Sequence, residues 1–113
     1  MVLDYRDKGY LLRIKEYCER IENAKARFGS SFEAFRNDPD FKDVVCMNLF
    51  QIGELANQVS DEVKCVIEDI PWTQMYGIRN ILAHAYIKVD DKIVWETVER
   101  DIPKLKECLL RIV

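Results

Sequence analysis

Four side chains suited to phosphate chemistry lie within eight consecutive positions: Arg79, Asn80, His84 and Tyr86. His84 is the only histidine among the 113 residues of the chain. A guanidinium group binds phosphate oxygens through a planar, permanently charged fork, and an imidazole exchanges protons near neutral pH. Asn80 lies one helical turn before His84, so its amide could orient the imidazole ring. The four residues therefore favour chemistry at a phosphate group.

The spacing of Arg79 and His84 sets a geometric condition on any site that they share. On an unbroken helix, side chains five residues apart point about 140° apart and lie about 7.5 Å apart along the axis. Such a pair does not converge within one helix. Either the helix ends between the two residues, or each residue meets the other's copy across a two-fold axis.

Each of these side chains also has a structural interpretation. Taken alone, His84 could cap the carbonyl groups at a helix end, and Arg79 could form an ion pair on the surface. Tyr86 could pack its aromatic ring against the helices. The functional interpretation needs all three in one cleft. If the chain leaves the helix near His84 as extended backbone, His84 and Tyr86 point to the same side.

Composition and charge narrow the class of protein. A hydrophobic content of 49% with 33% charged residues describes one globular domain, residues 1–113, rather than a disordered tail. No apolar run approaches the ~18 residues of a membrane span, and the N-terminus lacks the apolar core of a signal peptide, so we expect a cytoplasmic protein without membrane contact. The net charge of −3 argues against a protein that coats nucleic acid by bulk electrostatic attraction. It does not exclude a small basic pocket that acts on RNA.

Cysteine usage indicates reduced thiols on helix faces rather than a disulfide framework. The four cysteines, Cys18, Cys46, Cys65 and Cys108, are widely spaced and form no C-x-x-C pair. With one histidine and no clustered ligands, the sequence predicts no metal site and no cofactor.

Apolar residues that recur at steps of three and four predict a chain of helices. Gly53 lies inside the second long helix at a cost of about 1 kcal/mol relative to alanine, which suggests a close approach of another helix. Pro103 lies inside the last helix, so either that helix kinks or a new one begins with Asp101 as its cap. The predicted elements are a long helix from Asp7 to about Phe28, a short one capped by Ser31, a long one from Asp38-Pro39, a short one capped by Ser60, the motif helix after Ile70-Pro71-Trp72, and a last helix from Val89-Asp90-Asp91. This order predicts an all-α, up-and-down four-helix bundle with short extra helical turns.

The pattern Arg-x-x-x-x-His-x-Tyr, with Asn80 directly after Arg79, resembles the signature of the HEPN (higher eukaryotes and prokaryotes nucleotide-binding) superfamily and most of all its HepT-like branch. Ala85 occupies a position where glycine is often expected, but this change removes no chemical group. The resemblance covers nearly the whole chain. It also rests on Asn48-Leu49, Ile52-Gly53-Glu54, Ile70-Pro71-Trp72, Gly77-Ile78, Val89-Asp90, Ile93–Val98 and Asp101–Leu105.

The resemblance implies a homodimeric, metal-independent endoribonuclease toxin that dimerises through the motif helix and cleaves RNA at a composite site. His84 would move a proton to or from the ribose oxygens, Arg79 would bind the phosphate, and Asn80 would orient His84 or contact the phosphate. It further implies that a cognate nucleotidyltransferase of the MNT type acts as antitoxin by attaching AMP to Tyr86. The Glu54 carboxylate could hold the residues of the cleft in position without contacting the substrate, or Glu54 could be an ordinary solvated or ion-paired helix residue.

Two other classes of function stay open at this point. The chain could be a non-catalytic subunit that binds nucleotide or RNA and assists a nucleotidyltransferase. It could also be a helical dimer in which the motif is only structural. The presence of Arg79, Asn80, His84 and Tyr86 together favours the ribonuclease.

Overall fold

The computed structural model describes residues 3–113, and every regular element in that range is helical. The predicted all-α bundle, with four long helical segments and short extra turns, is confirmed. The helices are α1 Tyr5–Phe28, α2 Phe32–Asn37, α3 Pro39–Gln58, α4 Asp61–Val66, α5 Trp72–Ala85, α6 Asp91–Glu96 and α7 Ile102–Ile112, with a 3₁₀ turn at Tyr86–Lys88 and a π-helical turn at Thr97–Asp101.

Side-chain caps define where five of these helices begin, and four of these caps lie at predicted positions. Ser31, Asp38, Ser60 and Asp90 each accept a hydrogen bond from a backbone N–H two or three residues later. Such caps satisfy N–H groups that have no partner inside the helix and stabilise it by about 1 kcal/mol each. The helix starts predicted at these four positions are confirmed.

Helix α3 is the centre of the molecule, because it packs against α1 on one side and α5 on the other. An aromatic cluster fixes one end of this core. The ring centres of Phe28 and Phe41 are 5.2 Å apart, and Trp95 lies 5.3 Å from Phe35 and 5.8 Å from Phe41. The apolar residues that recur at steps of three and four along α3 and at its C-cap are all buried: Phe41, Val45, Leu49, Ile52, Leu55, Ala56 and Val59.

Pro103 is accommodated without a break between α6 and α7. Proline lacks an N–H and clashes with the carbonyl four residues earlier in an α-helix. A π-helical turn precedes it, in which the N–H of Ile102 donates to the carbonyl of Thr97, five residues earlier. The wider turn relieves the clash. Of the two alternatives, a new α-helix does begin at Ile102, directly after Asp101, but Asp101 has helical dihedral angles and its side chain makes no capping hydrogen bond.

Gly53 marks the closest approach between α3 and α5, as its position predicted. A Cβ atom added to this residue would overlap Cβ of Arg79 and would lie 2.8 Å from the carbonyl oxygen of Met75. Both contacts are closer than atoms tolerate. The absence of a side chain at Gly53 therefore sets the position of the helix that carries the motif.

We expect Gly53→Ala to be less stable than Gly9→Ala by about 1–3 kcal/mol, the usual cost of overpacking. Gly9 is the matched control because it lies inside α1 with nothing within 4 Å of an added Cβ, so both substitutions gain the same helix propensity. Urea unfolding followed by circular dichroism measures the difference. Equal stabilities would show that α3 and α5 can separate without cost.

Candidate active site

Helix α5 carries the motif and presents it on a partly open surface. Its first turn is fixed by Trp72, whose indole N–H donates to the carbonyl of Ile67 at 2.9 Å. Within α5 only Leu82 is buried. The helix is unbroken from Arg79 to His84, which excludes the alternative that it ends between them. The two side chains therefore point about 140° apart in one copy of the chain.

The guanidinium group of Arg79 is held by partners on two helices. Its Nε donates to Oε1 of Glu54 on α3, and its Nη1 donates to Oδ1 of Asn80 at 2.9 Å. Its central carbon lies 5.2 Å from the centre of the Phe50 ring, within the range of a cation–π contact. Glu54 is thus ion-paired, and its partner is the arginine of the motif. The remaining N–H groups of Arg79 can donate to an added ligand.

Asn80 is bonded to Arg79 rather than to His84. The sequence allowed the Asn80 amide to hold the imidazole, since the two residues share a helix face. In the structure its Oδ1 accepts from Arg79 instead. Within residues 3–113 the imidazole of His84 has no hydrogen-bond partner.

His84 lies in the last turn of α5 and is exposed. It lies about 160° around the helix from the buried Leu82, so it faces away from α3. An exposed imidazole without a partner within the described part of the chain is free to meet a ligand or a second copy of the chain.

Tyr86 lies in the 3₁₀ turn directly after α5, where the N–H of Val89 donates to its carbonyl at 3.3 Å. The hypothesis that the chain leaves α5 as extended backbone, with His84 and Tyr86 on one side, is therefore wrong. The backbone departs from helical dihedral angles at Ala85 (φ −145°, ψ 38°), and the separate 3₁₀ turn that follows places the tyrosine against α3. There its hydroxyl donates to Oδ1 of Asp43.

Tyr86 is 37% exposed, so the turn is accessible to solvent. Partial burial raises the pKa of the Tyr86 phenol above its ordinary value, and the hydrogen bond to Asp43 raises this pKa further by a smaller amount. The phenol is therefore protonated at neutral pH. It can act as a nucleophile only if a neighbouring group accepts its proton.

Sequence reasoning did not single out Asp43 or Phe50, although both contact motif residues. With Met47 and Glu54 they follow the spacing i, i+4, i+7, i+11 along α3, which places all four on one helix face. Asp43 meets Tyr86 at one end of this face and Glu54 meets Arg79 at the other, so α3 and α5 run antiparallel. A stripe of mixed polar and apolar residues at this spacing was the feature of the sequence that could have identified Asp43 and Phe50.

The helical fold with an Arg–Asn–His motif on one of its central helices defines a protein of the HEPN class. Residues 14–112 match the family described as Ribonuclease HepT-like. The chain belongs to this HepT-like ribonuclease family.

Curated relatives cover most of the chain. It is 37% identical over 99 residues to a protein of Thermococcus cleftensis named "Probable ribonuclease HepT", covering 88% of each chain. It is 35% identical over 104 residues to a "Putative RNase" of Caldanaerobacter subterraneus subsp. tengcongensis, covering 91% of this chain and 90% of the relative. A "Putative RNase" of Methanocaldococcus jannaschii is 31% identical over 106 residues, covering 94% of this chain and 86% of the relative. No solved structure is significantly similar to the chain.

The four cysteines are free thiols, and Cys46 lines the same groove as Asp43 and Tyr86. Cys18, Cys46 and Cys108 fill helix faces as predicted, whereas Cys65 is exposed. Burial raises the pKa of Cys18 and of Cys46 to about 12, so both stay protonated.

Neither a metal-binding cluster nor a membrane-spanning helix occurs in the described part of the chain. Across positions 3–113, no group of three or more His, Cys, Asp or Glu side chains is arranged to hold a metal ion. No helix in the same range combines the length and apolar character needed to cross a membrane.

Proposed function

We propose that the protein is an endoribonuclease that cleaves RNA without a metal ion, with Arg79, Asn80 and His84 as its active-site residues. The observation that carries the proposal is the arrangement on α5: Arg79 is fixed by Glu54, and His84 is exposed without a partner among residues 3–113. Membership of the HepT-like ribonuclease family and the ribonuclease names of the relatives support RNA as the substrate.

The proposed reaction is transfer of the phosphodiester to the neighbouring ribose hydroxyl. The 2′-oxygen bonds to phosphorus, the bond from phosphorus to the 5′-oxygen breaks, and the products carry a 2′,3′-cyclic phosphate and a 5′-hydroxyl. His84 takes the proton from the 2′-hydroxyl or delivers one to the leaving 5′-oxygen. Arg79 stabilises the charge that develops on the phosphate oxygens. Asn80, which holds Arg79 through its Oδ1, can still donate to the phosphate through its amide N–H groups.

We further propose that the site is completed by a second copy of the chain across a two-fold axis. The angle between Arg79 and His84 on an unbroken helix supports this arrangement, because the two side chains do not converge within one copy. The outer face of α5 suits such contact: Ile81 is 44% exposed, and a Cβ atom added to Gly77 would have nothing within 4 Å. Antiparallel pairing of two α5 helices would bring Arg79 towards the partner subunit's His84.

We also propose that the protein is a toxin of a toxin–antitoxin pair, silenced by AMP on Tyr86. A nucleotidyltransferase of the MNT type would supply the activated nucleotide. The phenolic oxygen would bond to the α-phosphorus of ATP, pyrophosphate would leave, and the proton would pass to Asp43, which already accepts the hydroxyl hydrogen bond. The added negative charge, two residues from His84 in the chain, would repel an RNA phosphate that approaches the active site.

Incubation of the purified protein with a defined single-stranded RNA, with and without EDTA, tests the proposed activity. We expect cleavage that EDTA does not reduce, and mass spectrometry should find 2′,3′-cyclic phosphate ends. A requirement for Mg²⁺ would contradict the metal-independent mechanism. RNA binding without cleavage would instead favour the non-catalytic subunit.

Glu54→Gln should lower kcat for RNA cleavage by about 10- to 100-fold, because the glutamine keeps the shape but loses the charge that positions Arg79. The KM for RNA should change less, and the thermal midpoint should stay close to that of the wild type. Glu96→Gln is the matched control: it also removes one carboxylate from an arginine ion pair, with Arg100, on an exposed surface. Equal rates for the two variants would show that Glu54 is an ordinary surface partner.

A further inference from the structure

Helix α1 carries a row of arginines that the proposed active site does not use. Arg6, Arg13, Arg20 and Arg27 follow each other at a spacing of seven residues. All four are exposed. Seven residues are nearly two helical turns, so successive arginines drift by only ~20° around the axis and rise by about 10.5 Å along it. The row therefore extends over about 32 Å of the α1 surface.

The arginines of this row are not held in ion pairs within the described part of the molecule. The guanidinium carbon of Arg20 lies 5.1 Å from the centre of the Tyr17 ring, and that of Arg27 lies 5.5 Å from the Phe28 ring. The composition of a chain with net charge −3 does not by itself account for four arginines aligned along one helix.

A continuous surface joins the row to the proposed active site. One groove runs from Tyr17 and Arg20 on α1 to Asp43, Val44 and Met47 on α3. A second groove shares Asp43 and Met47 with the first. Its further lining residues are Cys46, Phe50, Leu82 and Tyr86.

The far end of this surface reaches the motif. Phe50 lies under the guanidinium group of Arg79. Met47 is 59% exposed and gives the middle of the surface an apolar character. Asp43 is the acidic residue in its path, and its carboxylate is engaged by the Tyr86 hydroxyl.

We propose that the arginine row of α1 binds the phosphate backbone of the RNA substrate and leads the strand across α3 to the active site. This inference rests on the proposed function, in that the substrate is RNA. At ~3.4 Å per nucleotide, each step of about 10.5 Å along the row corresponds to roughly three stacked nucleotides. Tyr10 and Tyr17 border the row, half-buried against the core, and the Tyr17 ring contacts the guanidinium group of Arg20.

The salt dependence of RNA binding tests the proposal. In a chain that carries His84→Ala to prevent cleavage, Arg13→Gln with Arg20→Gln should weaken binding to an RNA of roughly ten nucleotides, the length of the row. Each lost phosphate contact should reduce the slope of log K against log salt by about 0.7, so the double variant should lose about 1.4. Fluorescence anisotropy across a salt series measures both quantities.

Lys104→Gln with Arg111→Gln on α7 is the matched control, because it removes the same charge from exposed residues without ion pairs in the range 3–113. This pair should leave the slope unchanged. Equal slopes for both pairs would overturn the proposal. Unchanged RNA binding combined with lost binding to the cognate nucleotidyltransferase would also overturn it and assign the row to an acidic protein surface.

Cleavage assays separate this inference from the proposed function. With His84 intact, the Arg13→Gln and Arg20→Gln variant should cut a dinucleotide at the wild-type rate and a longer RNA more slowly at subsaturating concentration. If the wild type cuts no RNA but the salt slopes differ as expected, the arginine row still binds RNA and the proposed activity fails. If cleavage is normal and the two double variants give equal salt slopes, the arginine row does not bind RNA, whereas the proposed activity is supported.

Discussion

Replacement of His84 by alanine is expected to reduce the rate of RNA cleavage by about 10²–10⁴-fold, the usual contribution of general acid–base catalysis. The side chain is exposed and has no hydrogen-bond partner within residues 3–113, so its removal should leave the helical fold intact. Rates of product formation with a labelled RNA, measured beside circular dichroism spectra, check both statements.

Arg79→Ala should cost a similar factor, because the phosphate loses its charged donor. This substitution also removes the partner of Glu54 and the group above the Phe50 ring, so a loss of stability is expected with it. Arg79→Lys is therefore the sharper variant, since it keeps the charge and removes the planar fork. Cleavage that persists in the His84→Ala variant would contradict the assignment of the active site.

Tyr86→Phe is expected to abolish transfer of AMP to the protein by its cognate nucleotidyltransferase in the presence of ATP and Mg²⁺. The phenylalanine keeps the ring and removes the nucleophilic oxygen, so packing in the 3₁₀ turn should survive. Intact-mass measurement should find an adenylyl group on the wild type and none on the variant. The variant should also keep cleaving RNA after incubation with the partner, whereas the wild type should not.

Tyr10→Phe is the control, because Tyr10 is a half-buried tyrosine on a different helix, α1, where it packs against the core. It should be modified like the wild type. AMP still attached to the Tyr86→Phe variant, or an unmodified wild type, would show that Tyr86 is a packing residue. The antitoxin would then act by another route.

The local elements of the fold could be predicted from the sequence because their causes are local. Ser31, Asp38, Ser60 and Asp90 cap helices through hydrogen bonds that span two or three residues, and the apolar periodicity of α3 is visible in one stretch of sequence. Gly53 was also informative, since a glycine inside a long helix suggests a close neighbour.

The contacts within the site could not be predicted, because they depend on how α3 and α5 align. The pairing of Arg79 with Glu54 spans 25 residues, and that of Tyr86 with Asp43 spans 43. Neither pairing follows from local spacing. The extended path considered as one possibility after His84 does not occur, because a 3₁₀ turn follows α5, and no residue type in that stretch required it.

A mixed dimer tests the central claim, that two copies of the chain form a ribonuclease site from Arg79 of one and His84 of the other. Arg79→Ala and His84→Ala chains can be produced together with different tags, and the heterodimer isolated by both. Each homodimer lacks one of the two groups at every site, whereas the heterodimer has both at one of its two sites. We predict that the homodimers are inactive and that the heterodimer cleaves RNA at about half the rate of a doubly tagged wild-type dimer. A heterodimer as inactive as the two homodimers, beside an active wild type, would contradict the shared site.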